Sequence, residues 1–265
     1  MTGFEMGPTL AWYERAGVSL PCISKQPLPF PIENTQCIQL DANVLGGLFD
    51  LFPASARKRS ILRKVVGQPT TWFRHDSLDG QITTTTKVDD ALTPTSFVPS
   101  YCDYSPWREL KRPTADVWLY KMPQTVPEHQ RTIVLAEGFL HEIGHTLAQP
   151  ALYVDDYALR LGSSGRVVNG LEFVIEFANL AEKHPPISHY ASEYRWQNKF
   201  EGHPRHDPKT CISEELCESI AAYFLGFSYR ADDTENPNPF IERPEIQHFV
   251  EEFLLAERVE STKDS

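Results

Sequence analysis

The stretch TIVLAEGFLHEIGHTLA, residues 132–148, decides how this chain is read. It is a near-continuous apolar run of ordinary buried-helix length, preceded by Pro127 and Glu128 and ended by Pro150. Ile133, Leu135, Phe139, Leu140, Ile143 and Leu147 are its candidate core contacts. Gly138 and Gly144 each cost about 1 kcal/mol of helix propensity relative to Ala, which points to close approach of another element. Within the run lies His141-Glu142-Ile143-Gly144-His145. Positions i and i+4 share a helix face, so His141 and His145 can grip one metal ion while Glu142 leans toward a water bound to it. Histidine and glutamate in the middle of an apolar helix need such a reason. A zinc hydrolase is therefore the first expectation, and it requires a third ligand from elsewhere.

The strongest source is ISEELCESIAAYFLGFSY, residues 212–229. This reads as a helix with Ser213 as N-cap and Glu214 and Glu215 in the favourable first turn. Glu218 follows Glu214 by one turn on the same face. Two carboxylates among Leu216, Ile220, Ala221, Ala222 and Phe224 are expensive unless something positive meets them. Glu214 as ligand, with Glu218 receiving the second N–H of a ligand histidine, accounts for both. Glu215 is the register alternative. Asp155, Asp156, His189, His203 and His206 compete for the same role. A third histidine six residues beyond His145 is excluded, because that residue is Ala151.

The order HEIGH, SHYAS, EELCESIAAYF resembles zinc peptidases of the zincin class with a glutamate third ligand, especially the anthrax-lethal-factor-like group. The resemblance covers residues 131–226. It implies that His141 and His145 are paired zinc ligands, Glu142 the general base, Glu214 the third ligand and Glu218 its outer companion. It also implies that Tyr190 stabilises the tetrahedral intermediate. The stretch WQNKFEGHPRHDPKTC separates Tyr190 from the glutamate helix, a spacing longer than that group has. Tyr194, Tyr223 and Tyr229 therefore stand beside Tyr190, and His189 is a further candidate next to the oxyanion or metal. The implied chemistry is hydrolysis of a peptide bond in a protein substrate by a Glu-activated, zinc-bound water.

The rest of the chain sets bounds. A formal charge of −11 over 265 residues disfavours phosphate backbones and anionic membranes, so neither nucleic acid nor membrane is an expected partner. Arg57, Lys58, Arg59, Arg63 and Lys64 read as the solvated face of a helix spanning ASARKRSILRKVVG. Five irregularly spaced cysteines read as reduced thiols. The first residues lack a signal-peptide pattern, which suits a cytoplasmic protein or one secreted without a classical signal. Nothing in the sequence sets an oligomeric state.

The fold expected is α+β, a mostly helical zincin-like lobe with a small sheet built from Gln81–Val88 and Val117–Tyr120. Residues 91–115 read as a loop. A Pro-rich region, 1–110, packs on a metallopeptidase core, 111–260, with a frayed tail, 261–265. GLEFVIEFANLAEKHPP reads as a second core helix and IQHFVEEFLLAERVE as the last one. The alternative to an endopeptidase is a noncatalytic, zinc-stabilised protein-binding module, its fourth position closed by His189 or an aspartate.

Overall fold

The computed structural model describes residues 28–70, 72–76, 82–85, 96–98, 100–105, 113–122, 128–188, 191–192, 208–229, 235–237 and 239–259. Mixed helix and small sheets make it α+β. At its centre is the helix α3, Glu128–Tyr153. It runs through Pro150 rather than ending there. The reason lies in backbone accounting. A proline inside a helix has no N–H for the carbonyl four residues back. Here that carbonyl belongs to Thr146, and it accepts the Ile61 N–H at 3.4 Å. A strand start thus fills the place that Pro150 leaves open, and α3 continues to Tyr153.

Ile61 introduces a correction. The stretch ASARKRSILRKVVG, expected as one helix, divides into α2, Ala54–Arg59, and β2, Leu62–Gln68. Val65, Val66 and Gly67 are buried in succession, as in a strand covered on both faces. β2 pairs in parallel with β1, Ile32–Glu33, and with β7, Thr114–Tyr120; β7 pairs antiparallel with β6, Ser100–Ser105. The sheet order is β1-β2-β7-β6, and it draws strands from both sides of residue 110. Gly67 is required, because a Cβ there would stand 2.5 Å from Asn34 O.

The basic residues of this stretch are not one face either. Arg57 pairs with Asp50 at 3.0 Å, and Lys64 with Glu33 at 2.8 Å. Arg63 grips Asp116 with two nitrogens, and Arg59 is buried.

The expected small sheet also needs correction. β4, Ile82–Thr85, pairs with β3, Trp72–Asp76, which pairs with β5, Ser96–Val98. This three-stranded sheet is separate from the one holding Val117–Tyr120. Residues 91–115, expected as loop, contain β5, β6 and the start of β7. The many Pro and Ser residues there mask strands whose pairing is nonlocal.

Against α3 pack α1, Ala42–Asp50, α4, Gly170–Ala181, α5, Pro208–Leu225, and strands β6 and β7. α5 starts before Ser213, which is a buried mid-helix residue and not the N-cap. Pro208, with φ preset for a first turn, moves the start upstream. A further helix, α6, Pro244–Leu255, packs on α4 and α5. The last apolar stretch leaves the helix at Ala256 and forms β12, Glu257–Val259, antiparallel to β8, Ala158–Arg160, whose other neighbour is β9, Val167–Asn169. β10, Phe227–Tyr229, and β11, Glu235–Pro237, form a hairpin after α5.

The core is continuous through these layers. Phe52, Phe139, Phe173, Phe177 and Phe253 are fully buried, each stabilising the fold by about 1.5–3 kcal/mol relative to exposure. Phe52 meets Phe224 at 4.5 Å between ring centres, and Phe173 meets Phe249 at 4.3 Å. At the C-terminal end of α6, Arg59 donates to Phe253 O and lies 4.9 Å over the Phe253 ring, while Ser55 Oγ donates to Leu254 O at 3.0 Å. No described helix is long and apolar enough to cross a membrane.

Candidate metal centre

Helix geometry brings the first two functional side chains together. His141 and His145 lie one turn apart on the face of α3 that meets α5, and their rings stand 4.8 Å apart. The crossing of the two helices is close because Gly144 lacks a side chain. A Cβ there would sit 3.1 Å from the Cα, Cβ and Sγ of Cys217. That approach carries Glu214, one turn before Cys217, to the two imidazoles.

The result is a triangle of donor atoms. His141 Nε2 lies 3.0 Å from His145 Nε2 and 3.1 Å from Glu214 Oε2. His145 Nε2 lies 3.4 Å from the same oxygen. Three electron-rich atoms at such distances repel unless a proton or cation sits among them. A tetrahedral cation with bonds of about 2.0–2.1 Å holds its donors about 3.3–3.4 Å apart, close to the observed sides. His141, His145 and Glu214 are all buried and could hold a metal ion.

Charges around the triangle reinforce this. Burial opposes a proton on His141, but hydrogen bonding to Glu214 and Glu218, and the charges of Glu218 and Glu142, hold its pKa well above the ordinary value. Burial likewise opposes ionisation of Glu214. The His145 charge, and hydrogen bonds from both histidines, outweigh it and bring Glu214 down to about 2. The cluster is therefore built to keep one positive charge among carboxylates. Glu218 Oε1 lies 2.7 Å from His141 Nδ1, on the side of the ring away from the triangle. An imidazole held this way presents Nε2 in a fixed direction.

Glu142 sits beside the triangle, buried, and accepts a 2.8 Å hydrogen bond from Ser100 Oγ on β6. Burial raises its pKa, the two histidines lower it, Glu214 raises it and the Ser100 hydrogen bond lowers it; the net direction is upward. Glu137, one turn before His141, is pushed up to about 8 by burial and then by the Glu218 charge, against the pull of His141. Cys217 is a buried thiol raised well above its usual value by burial and then by Glu214, which leaves it inert as a nucleophile.

Among the described residues, the other candidates stand as follows. Glu215 is buried, but the convergent group contains Glu214. Asp155 and Asp156 are exposed in the turn after α3 and stand outside that group. Tyr223 is buried, and burial followed by the charge and hydrogen bond of Glu251 pushes its pKa up. His189, Tyr190, Tyr194, His203 and His206 lie outside the described residues, as does the side chain of Tyr229. Ser100 was not visible from sequence, because it lies in a stretch that reads as loop. Only the pairing of β6 with β7, which sets Ser100 opposite Leu119, brings it to α3. No protein-family model, curated protein or solved structure matches this chain.

Proposed function

We propose that this chain is a zinc-dependent endopeptidase hydrolysing a peptide bond in a protein substrate. The observation that carries the reading is the His141–His145–Glu214 triangle with a buried carboxylate, Glu142, immediately beside it. Two imidazoles and one carboxylate are a common catalytic zinc ligand set, and the donor spacing suits that ion. When bound, zinc would lower the pKa of a coordinated water and polarise a substrate carbonyl.

The protein's own part follows from its side chains. Glu142 takes the proton of the attacking water and passes it to the leaving amine. Glu218 orients His141 through Nδ1. The resemblance to lethal-factor-like peptidases adds Tyr190, with His189 beside it, as the groups that steady the developing oxyanion. β6 ends its sheet among the described residues, and its Ser100 touches Glu142. A strand edge at that place suits an extended peptide. A noncatalytic zinc-stabilised binding module would need a fourth protein ligand, and the convergent group has three members among the described residues.

Metal analysis and a proteome-wide cleavage comparison of wild type with E142Q test the proposal. Wild type should carry about one zinc per chain. The E142Q protein should keep that zinc and cleave roughly 10²–10⁴-fold more slowly. A zinc-loaded wild type with the same cleavage profile as E142Q would overturn it in favour of the binding module.

A further inference from the structure

Ser100 is a buried hydroxyl on β6, an edge strand of the four-stranded sheet among the described residues, and its Oγ stands 2.8 Å from Glu142 Oε1. The carboxylate it meets belongs to a long side chain with three rotatable bonds, on the turn of helix between two metal-ligand histidines. A carboxylate has two oxygens and accepts several hydrogen bonds. Committing Oε1 to Ser100 fixes the plane of the group and reserves Oε2 for whatever approaches from the triangle. The bond also crosses from sheet to helix, so the base is aimed by a part of the protein that holds none of the metal ligands.

We infer that Ser100 is a positioning residue for Glu142, aiming its free oxygen at the coordination position of the metal centre. The inference rests on the endopeptidase reading for its object, but its consequence appears in binding as well as turnover. A hydroxamic acid loses its N–O–H proton when the hydroxamate chelates a metal. A carboxylate aimed at the ligand accepts that proton, which forms a carboxylic acid and leaves the anion on the metal. Ligand affinity therefore reports where Glu142 points, with no substrate needed.

The experiment loads the full-length chain with cobalt(II) and titrates it with acetohydroxamate, followed by visible absorption. The S100A protein should bind one cobalt as wild type does but bind acetohydroxamate about tenfold more weakly, the usual scale for losing a group that orients a metal-site residue. S100T retains a hydroxyl and should recover most of that loss. In an E142Q background S100A should add nothing, because the residue it aims is gone. A merely structural role predicts the same loss in both backgrounds and no rescue by threonine.

Wild-type affinity in S100A, an undiminished S100A effect in E142Q, or S100T failing as S100A does would each overturn the inference. If cobalt-loaded wild type binds acetohydroxamate but cleaves no protein, the endopeptidase reading fails while the role of Ser100 is still decided by these arms. No acetohydroxamate binding to wild type would mean a closed coordination sphere, and both would fall.

Discussion

Glu214 and Glu252 are buried to the same degree, each with 6% of its surface exposed, and they meet opposite company. Glu252, on α6, accepts hydrogen bonds from Ser163 N at 2.9 Å, from Ser163 Oγ and from Ser164 Oγ at 3.4 Å. Every partner donates, so that carboxylate is complete as it stands. Glu214 instead faces two imidazole nitrogens that also face each other at 3.0 Å, and each of them donates or accepts according to its protonation. It is complete only with a positive charge in its midst. Depth of burial does not distinguish a structural carboxylate from a candidate ligand. The polarity of what surrounds it does.

The sharpest way to break this contrast is to remove an imidazole. H145A should lower zinc affinity by roughly a thousandfold or more, and it should remove the metal-dependent part of the melting temperature. Calorimetric titration with and without a chelator measures both. A mutant that keeps tight stoichiometric zinc would mean that the triangle is not the site. Next in size comes E218Q. Losing the carboxylate on His141 Nδ1 should weaken zinc by about 10–100-fold while the fold persists, and competition with a zinc-sensitive dye reads the change.

The control lies on the other side. E252Q should destabilise the protein by about 1–3 kcal/mol in urea unfolding, since an amide serves the serine donors poorly. Its zinc content should not change. Metal loss in E252Q comparable to that in H145A would erase the distinction between the two carboxylates. The smallest effect is expected for G144A. Alanine should add about 1 kcal/mol of helix propensity, while its methyl group pushes on Cys217 at 3.1 Å and moves α5 slightly. Zinc affinity should fall only a few-fold, as equilibrium dialysis would register. An unchanged affinity would show that the helix crossing tolerates more slack than the close contact suggests.

The helix that carries His141 and His145 was legible because its signal is local. His141, Glu142 and His145 fall within two turns, and the pair Glu214 and Glu218 repeats the same spacing, so face and chemistry can be read together. Apart from the start of α5, what failed depended on a distant partner. The passage of α3 through Pro150 needs an N–H from Ile61. β2 resembles a helix because its charged residues cluster, and only pairing with β1 and β7 makes Val65 and Val66 strand core. Ser100 escaped for the same reason, since a lone serine among Pro, Ser and aromatic residues carries no period. The split of the expected sheet into two follows likewise, because strand partners are not written in the strands themselves.

The clamp on the end of α6 bears on the order of events when the chain is made. The bond between His141 and Glu214 closes a separation of 73 residues, while the one from Ser55 to Leu254 closes 199. In loop-closure entropy the longer one costs only about 0.9 kcal/mol more, so the difference between them is chiefly one of timing. During synthesis the three donors are all made before Phe253 and Leu254 exist to be held. A nascent chain therefore passes through a stage in which His141, His145 and Glu214 are present while β12 has yet to join β8.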